Sequence, residues 1–262
     1  MNRKVRHMKR QWIIIAGVLT LTACSNDFLS GQQPPTSTPS AESQKKVDVK
    51  DQPVFETVTE EIGEDGLVIV GDPESVEVVV NKERKLPEGY IPPDLRVPDV
   101  SFSFDEDHPK KQMRAEAAGA LERLFKAAEA QGIELVAASG YRSYERQKSI
   151  YERNVEVYGE EETNTFSAKP GTSEHQTGLA MDVTSAAMAF RLDQSFIDTP
   201  EGSWLADNAH QYGFVIRYPE GKTDITGYTY EPWHLRYVGK ETAIEVYKQE
   251  STLEEFFGHH PS

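Results

Sequence analysis

The stretch Ser173-Glu174-His175-Gln176-Thr177-Gly178-Leu179-Ala180-Met181-Asp182 sets a serine, an imidazole and a carboxylate close together, with Gly171 and Gly178 to bend the backbone around them. A catalytic zinc ion takes about three protein ligands of the His/Asp/Glu type and keeps one position for water. His175 and Asp182 offer two. Such a pair alone is better explained by a surface loop whose His and Asp never meet. Glu231-Pro232-Trp233-His234 changes the reading, because a second His completes a ligand set and a Glu sits where a base is needed.

The chain of 262 residues allows one domain of ordinary size or two small ones. A hydrophobic content of 37%, with 11 Phe, 11 Tyr and 3 Trp, is enough for a core. The formal net charge of −15 gives a field that repels phosphate backbones, which argues against nucleic-acid binding.

The N-terminus reads as a targeting signal. Arg3, Lys4, Arg6, Lys9 and Arg10 precede an apolar run over 13–21, shorter than the roughly 20 residues that span a bilayer. The run ends in Leu21-Thr22-Ala23-Cys24, and Cys24 is the only cysteine, so no internal disulfide forms and no thiolate serves catalysis. Beyond it, Gln32-Gln33-Pro34-Pro35-Thr36-Ser37-Thr38-Pro39-Ser40 has little to bury and reads as a tether. The acidic stretch over 56–65 is expected to continue that tether.

Order is expected from Ser75, with Val76-Glu77-Val78-Val79-Val80 as a strand stopped by Asn81. The prolines of 86–95 suit an extended belt. Ala118, Leu121, Leu124, Phe125 and Ala128 recur at helical spacing and predict a helix over 109–131, stopped by Gly132. Further expectations are a buried strand over 133–138, a helix over 144–158, a solvated loop at Glu160-Glu161-Glu162 and a helix over 200–212. Strands over 214–218 and 225–234 and a closing helix over 240–257 complete the set. This mixed order indicates an α+β domain with a small, mostly antiparallel sheet and flanking helices.

Four pieces in order then carry a resemblance: Ser139-Gly140-Tyr141-Arg142-Ser143, Gln147, the Ser-x-His-x-x-Gly-x-Ala-x-Asp pattern at 173–182, and Glu-Pro-Trp-His-x-Arg at 231–236. Together they resemble the zinc D-alanyl-D-alanine carboxypeptidases of the VanY and LdcB type, over about residues 78–247. The resemblance implies a hedgehog/DD-peptidase-like zinc peptidase fold, with one Zn2+ on His175, Asp182 and His234, and Glu231 as catalytic base. It implies substrate contacts from Arg142, Gln147 and Ser173. Residues 21–24 resemble a lipobox, which implies cleavage before Cys24, acylation of its sulfur and a lipid anchor on the outer face of the cell membrane. The implied organisation is signal peptide 1–23, tether 24–74 and carboxypeptidase domain 75–258, in a monomer whose substrates are peptidoglycan stem peptides.

The chemistry is coherent beside the resemblance. Zinc lowers the pKa of bound water to about 7, and Glu231 can carry the proton to a departing amine. Arg142 offers a planar fork for a free C-terminal carboxylate. Trp233 suits a pocket wall or the core, and Arg236 suits substrate or an acid of the sheet. His108, His210, His259 and His260 read as capping, structural or tail residues, and Ser43-x-x-Lys46 has none of the motifs that would make it catalytic. A non-catalytic wall-binding lipoprotein and a zinc amidase of another wall bond are the competing readings.

Replacing Cys24 by Ala is expected to abolish lipid attachment, leaving uncleaved precursor or released protein. Membrane fractionation decides: a Cys24→Ala chain that partitions with membranes as the wild type does would rule out the lipid anchor.

Overall fold

The computed structural model describes residues 59–259. The targeting segment, Cys24, Ser43-x-x-Lys46 and the Pro/Ser/Gln-rich stretch lie outside them. Three small sheets are built from β1 (Glu61–Ile62), β2 (Val68–Ile69), β3 (Arg84–Lys85), β4 (Leu95–Arg96), β5 (Met113–Arg114), β6 (Val136–Ser139), β7 (Ala180–Thr184), β8 (Phe214–Ile216) and β9 (His234–Tyr237). The helices are α1 (Ala115–Glu129), α2 (Tyr144–Tyr158), α3 (Glu160–Phe166), α4 (Pro200–Asn208), α5 (Thr223–Thr226), α6 (Lys240–Lys248) and α7 (Leu253–Phe257). The α+β expectation holds, with an antiparallel four-stranded sheet in the order β6-β7-β9-β8 at its centre.

Strand periodicity divides that sheet into two faces. Met181 and Val183 of β7, Leu235 and Tyr237 of β9 and Phe214 of β8 point to one side, where they join Leu121 and Leu124 of α1 in the main core. Asp182, His234 and Arg236 alternate with them and therefore point to the other. The register places Asp182 directly opposite His234, and Ser139 of β6 opposite Asp182. All residues of β7 and β9 are buried, so the polar residues that alternate along them face the site and not solvent. The sequence reading placed no strand at β7.

Other boundaries also move. The expected strand at 76–80 does not form, although Val78, Val79 and Val80 are buried. Guanidinium groups take the carbonyls a ladder would use: Arg236 Nη2 donates to Val76 O and Val78 O, and Arg84 Nε to Val79 O. Regular structure starts before Ser75, inside the stretch read as tether, since β1 and β2 pair there and Lys85 and Arg84 hold Asp65 and Glu60.

The helix expected over 109–131 is three elements. A 3-10 turn (Pro109–Lys111) capped by His108 and the short β5 precede α1. The carbonyls of Lys110 and Gln112 are taken by the amides of Gly140 and Tyr141 instead of a continuing helix. The expected strand over 225–234 is helix α5, ended by Gly227 at φ 76°, then irregular chain up to β9. Glu160-Glu161-Glu162 forms the first turn of α3, where carboxylates suit the helix dipole. The closing helix is broken between α6 and α7 by Glu250 at φ 50°, and Thr252 with Glu255 forms a capping box that starts α7 anew.

Gly140 sits where the 110–112 segment crosses the end of β6. A Cβ there would lie 2.5 Å from Gln112 O and 2.8 Å from Met181 Cε. Backbone cannot yield as a flexible side chain does, so Gly140→Ala is expected to cost about 1–3 kcal/mol of stability. Urea unfolding measures this, and an unchanged midpoint and slope would show that the crossing opens freely.

Candidate active site

The three ligand candidates come from two kinds of element. Asp182 and His234 are cross-strand neighbours on β7 and β9, while His175 lies in a 3-10 turn (Glu174–Thr177) just before β7. Gly178, at φ 69°, turns the chain from that helix into the strand, a conformation that costs an L side chain strain. His175, Asp182 and His234 are all buried, and one ligand atom from each falls within 4.8 Å of the others.

The hydrogen bonds decide which atoms face inward. His175 Nδ1 lies 2.8 Å from the carbonyl of Gly140, which can only accept, so Nδ1 carries the hydrogen. Its Nε2 is then free and stands 3.5 Å from Asp182 Oδ2. His234 Nδ1 is 3.0 Å from Asp182 Oδ1 and 3.7 Å from Glu231 Oε2, while its Nε2 faces Glu174 Oε2 at 3.4 Å. Two imidazole nitrogens and a carboxylate converging in a water-poor site are a donor set suited to zinc.

Charge distribution agrees. Burial, with Arg142 and His234 nearby, depresses the His175 pKa to about 3 despite the pull of Asp182, so its lone pair is available at neutral pH. Burial alone would lower His234 as well, but hydrogen bonds to Asp182 and Glu174 raise it to about 10. Burial would raise Asp182, yet His175, His234 and Arg142 hold it below the usual carboxylate range. Burial pushes Glu231 up to about 7, with Asp182 and Glu174 adding to the effect and His234 and Arg142 opposing it.

A cavity of ≈ 210 Å³ opens over this cluster. His175, Asp182, His234, Glu231, Arg142 and Ser173 all line it. Trp233 lines it too while packing against the main core, so both readings of that residue hold. Gln147 does not. It is buried, its Oε1 accepts from Arg142 Nη1 at 2.8 Å, and its Nε2 donates to Ala168 O at 2.6 Å. Its amide is spent on holding Arg142, not on a group in the cavity. His210 stacks on Tyr247 away from the cluster, as a structural residue.

Arg236 pairs with an acid. Its Nη1 donates to Glu174 Oε1 at 2.8 Å, beside Arg217 Nε at 2.6 Å. Arg217 in turn forks onto Glu254 of α7 at 2.9 and 2.6 Å. Glu174, Arg217 and Glu254 were not singled out in the sequence. The available signal was Arg236 two places after His234, which strand periodicity puts on the same face.

These features agree with comparisons against known proteins. The family model described as VanY, D-alanyl-D-alanine carboxypeptidase, matches residues 110–240. A putative carboxypeptidase YodJ of Bacillus subtilis (strain 168) is 52% identical over 193 residues, 74% of this chain and 71% of that one. The solved LdcB LD-carboxypeptidase is 50% identical at a TM-score of 0.74, over 77% of this chain and 95% of that one. A VanY D,D-pentapeptidase from a VanB-type resistance cassette, solved in complex with Zn(II), is 33% identical at a TM-score of 0.58, over 70% of this chain and 98% of that one. A cross-strand Asp–His pair, a His on the preceding turn and a half-buried Glu over one cavity thus occur in a chain that belongs to the VanY family of D-alanyl-D-alanine carboxypeptidases.

Proposed function

We propose that this chain is a zinc-dependent carboxypeptidase that removes the C-terminal D-alanine from peptidoglycan stem peptides, held at the outer face of the cell membrane through acylated Cys24. The observation that carries the enzymatic reading is the convergence of His175, Asp182, His234, Glu231 and Arg142 on one cavity. Relatives are named for D,D- and for L,D-cleavage, and either cut at the end of a stem peptide would release D-alanine. In either case the group for Arg142 to read is a D-alanine carboxylate.

His175 Nε2, Asp182 and His234 Nδ1 would hold the zinc ion. When bound, zinc makes water acidic enough to supply hydroxide near neutral pH and polarises the scissile carbonyl. Arg142, braced by Gln147, pairs with the substrate carboxylate, and Ser173 offers a neutral hydrogen bond at the same wall. Glu231 takes a proton from the attacking water and returns it to the amine nitrogen as the C–N bond breaks. The products are free D-alanine and a peptide shortened by one residue. A carboxylate raised toward neutrality suits this exchange, and the partial burial of Glu231 pushes it in that direction.

Glu231→Ala leaves the three metal ligands in place. One zinc per chain is expected to remain, while turnover of a D-alanine-terminated muropeptide falls by about 10²–10⁴-fold. Metal analysis beside steady-state kinetics reads both. A wild-type chain that carries no zinc and keeps its activity in chelator would end the metal reading.

Arg142→Ala acts on recognition. Loss of a charge-assisted contact is expected to lower kcat/KM on the free acid by about 1.5–3 kcal/mol, with little change on a C-terminally amidated analogue that is already poor. Equal loss on both substrates would show that Arg142 does not read the carboxylate.

A further inference from the structure

Glu174 is buried between the two ligand histidines and has no part in the chemistry derived above. Its Oε1 takes both guanidiniums, from Arg217 Nε at 2.6 Å and Arg236 Nη1 at 2.8 Å. This leaves Oε2 facing His234 Nε2 at 3.4 Å. An imidazole whose hydrogen is fixed on one nitrogen presents its lone pair on the other. The two ligand histidines therefore offer opposite atoms, Nε2 at His175 and Nδ1 at His234. Behind His175 the acceptor is the Gly140 carbonyl. His234 has a carboxylate at each nitrogen, Asp182 Oδ1 3.0 Å from Nδ1 and Glu174 Oε2 3.4 Å from Nε2. Because Asp182 belongs to the ligand set, Glu174 is the acceptor left to hold the hydrogen.

The support behind Glu174 reaches the C-terminal part of the domain. Arg217 Nη1 and Nη2 fork onto Glu254, in the first turn of α7, and Asn81 Nδ2 adds a third hydrogen bond to that carboxylate at 3.1 Å. Arg236 is fixed independently by the carbonyls of Val76, Val78 and Tyr237. Side chains of Glu174, Arg217, Arg236 and Glu254 are at most 1% exposed. With so little exposure, the orientation of the Glu174 carboxylate is set by its two guanidinium partners.

We propose that Glu174 is a positioning residue for the metal ligand His234, and that α7, through Glu254 and Arg217, sets the orientation of Glu174. The proposal rests on the zinc reading given above. A buried carboxylate behind a metal-bound imidazole fixes its tautomer and raises its basicity, and losing one costs about 10–100-fold in metal affinity or activity. A purely structural ion-pair cluster would instead lower stability on mutation and leave metal binding alone.

The full-length chain distinguishes these, with Glu174→Gln and Glu254→Gln as the variants. Zn(II) affinity is measured by competition with a chromophoric chelator, the Co(II) form by its visible absorption, and the metal-bound nitrogens by NMR of histidine labelled with nitrogen-15. The wild type is expected to bind Zn(II) through His175 Nε2 and His234 Nδ1. Glu174→Gln should weaken Zn(II) binding by about 10–100-fold, shift the Co(II) spectrum and lower kcat with KM little changed. Glu254→Gln, which touches no ligand, should weaken binding in the same direction by a smaller factor. Zn(II) on His234 Nε2 would overturn the proposal. So would two variants with wild-type affinity and Co(II) spectrum and only a lower melting temperature. If Glu174→Gln does not fold, Glu254→Gln and the nitrogen assignment still decide the matter. A wild-type chain without Zn(II) affinity would remove the zinc reading and this proposal together.

Discussion

Glu174 lies between Arg217 and Arg236 with its side chain 1% exposed, and the elements around the cavity are arranged about that contact. Burying one ion costs several kcal/mol even after the surroundings relax. The arrangement is tolerable because Glu174 and Glu254 balance Arg217 and Arg236, and because the guanidinium donors find carboxylates or backbone carbonyls. Bidentate geometry at Arg217–Glu254 adds direction as well as strength. The network joins the 3-10 turn that carries His175, the strands β8 and β9, the irregular 76–78 segment and α7. Its contribution is to geometry more than to net stability, since an apolar cluster of equal volume would pack at lower cost.

Upon that base the sheet does the placing. Two-residue periodicity puts His234 and Arg236 on one face of β9, so the strand that supplies a ligand also supplies a brace for the carboxylate behind it. Antiparallel register then sets Asp182 opposite His234 without any loop between them. Glu231 comes in on the turn before β9, its amide bonded to Tyr218 O and its carbonyl to the His234 amide. Asp182, Glu231 and Arg142 line the same cavity, so the negative charge gathered beside the ligands has a guanidinium within the same walls.

An apolar stripe against solvent leaves a period, and it marked the body of α1, whose Ala118, Leu121, Leu124 and Ala128 are buried. The strands that make the site were less legible. β7 and β9 are short and buried on both faces, and the polar residues that alternate along them line the site, where no solvent-facing side announces a strand. Val76 to Val80 misled for the opposite reason: the residues favour a strand, but Arg236 and Arg84 reach the carbonyls first. The Thr252-x-x-Glu255 box that restarts a helix at α7 was present in the sequence and was read through. The site residues were legible because motif order, not periodicity, marked them. Glu174 lay inside that motif unread, and only the fold reveals that its partners come from positions 217 and 236.

The cavity floor and its outer wall differ in how they are held. The floor is sheet and 3-10 turn, with ligands buried and cross-braced. The wall is the α2–α3 hairpin, which contributes Ile150, Asn154 and Phe166 yet buries fully only Gln147 from α2 and Thr163 from α3. Val157 and Tyr158 near its tip are mostly exposed. Few buried apolar contacts place such a segment at the low-stability end of the domain. Its root is tied to the chemistry by one side chain, because Gln147 bonds Arg142 with one end of its amide and Ala168, past the end of α3, with the other. A shift of the wall that moves Ala168 is therefore transmitted to the guanidinium through Gln147, while the metal ligands, held by the sheet and the Glu174 network, do not have to follow.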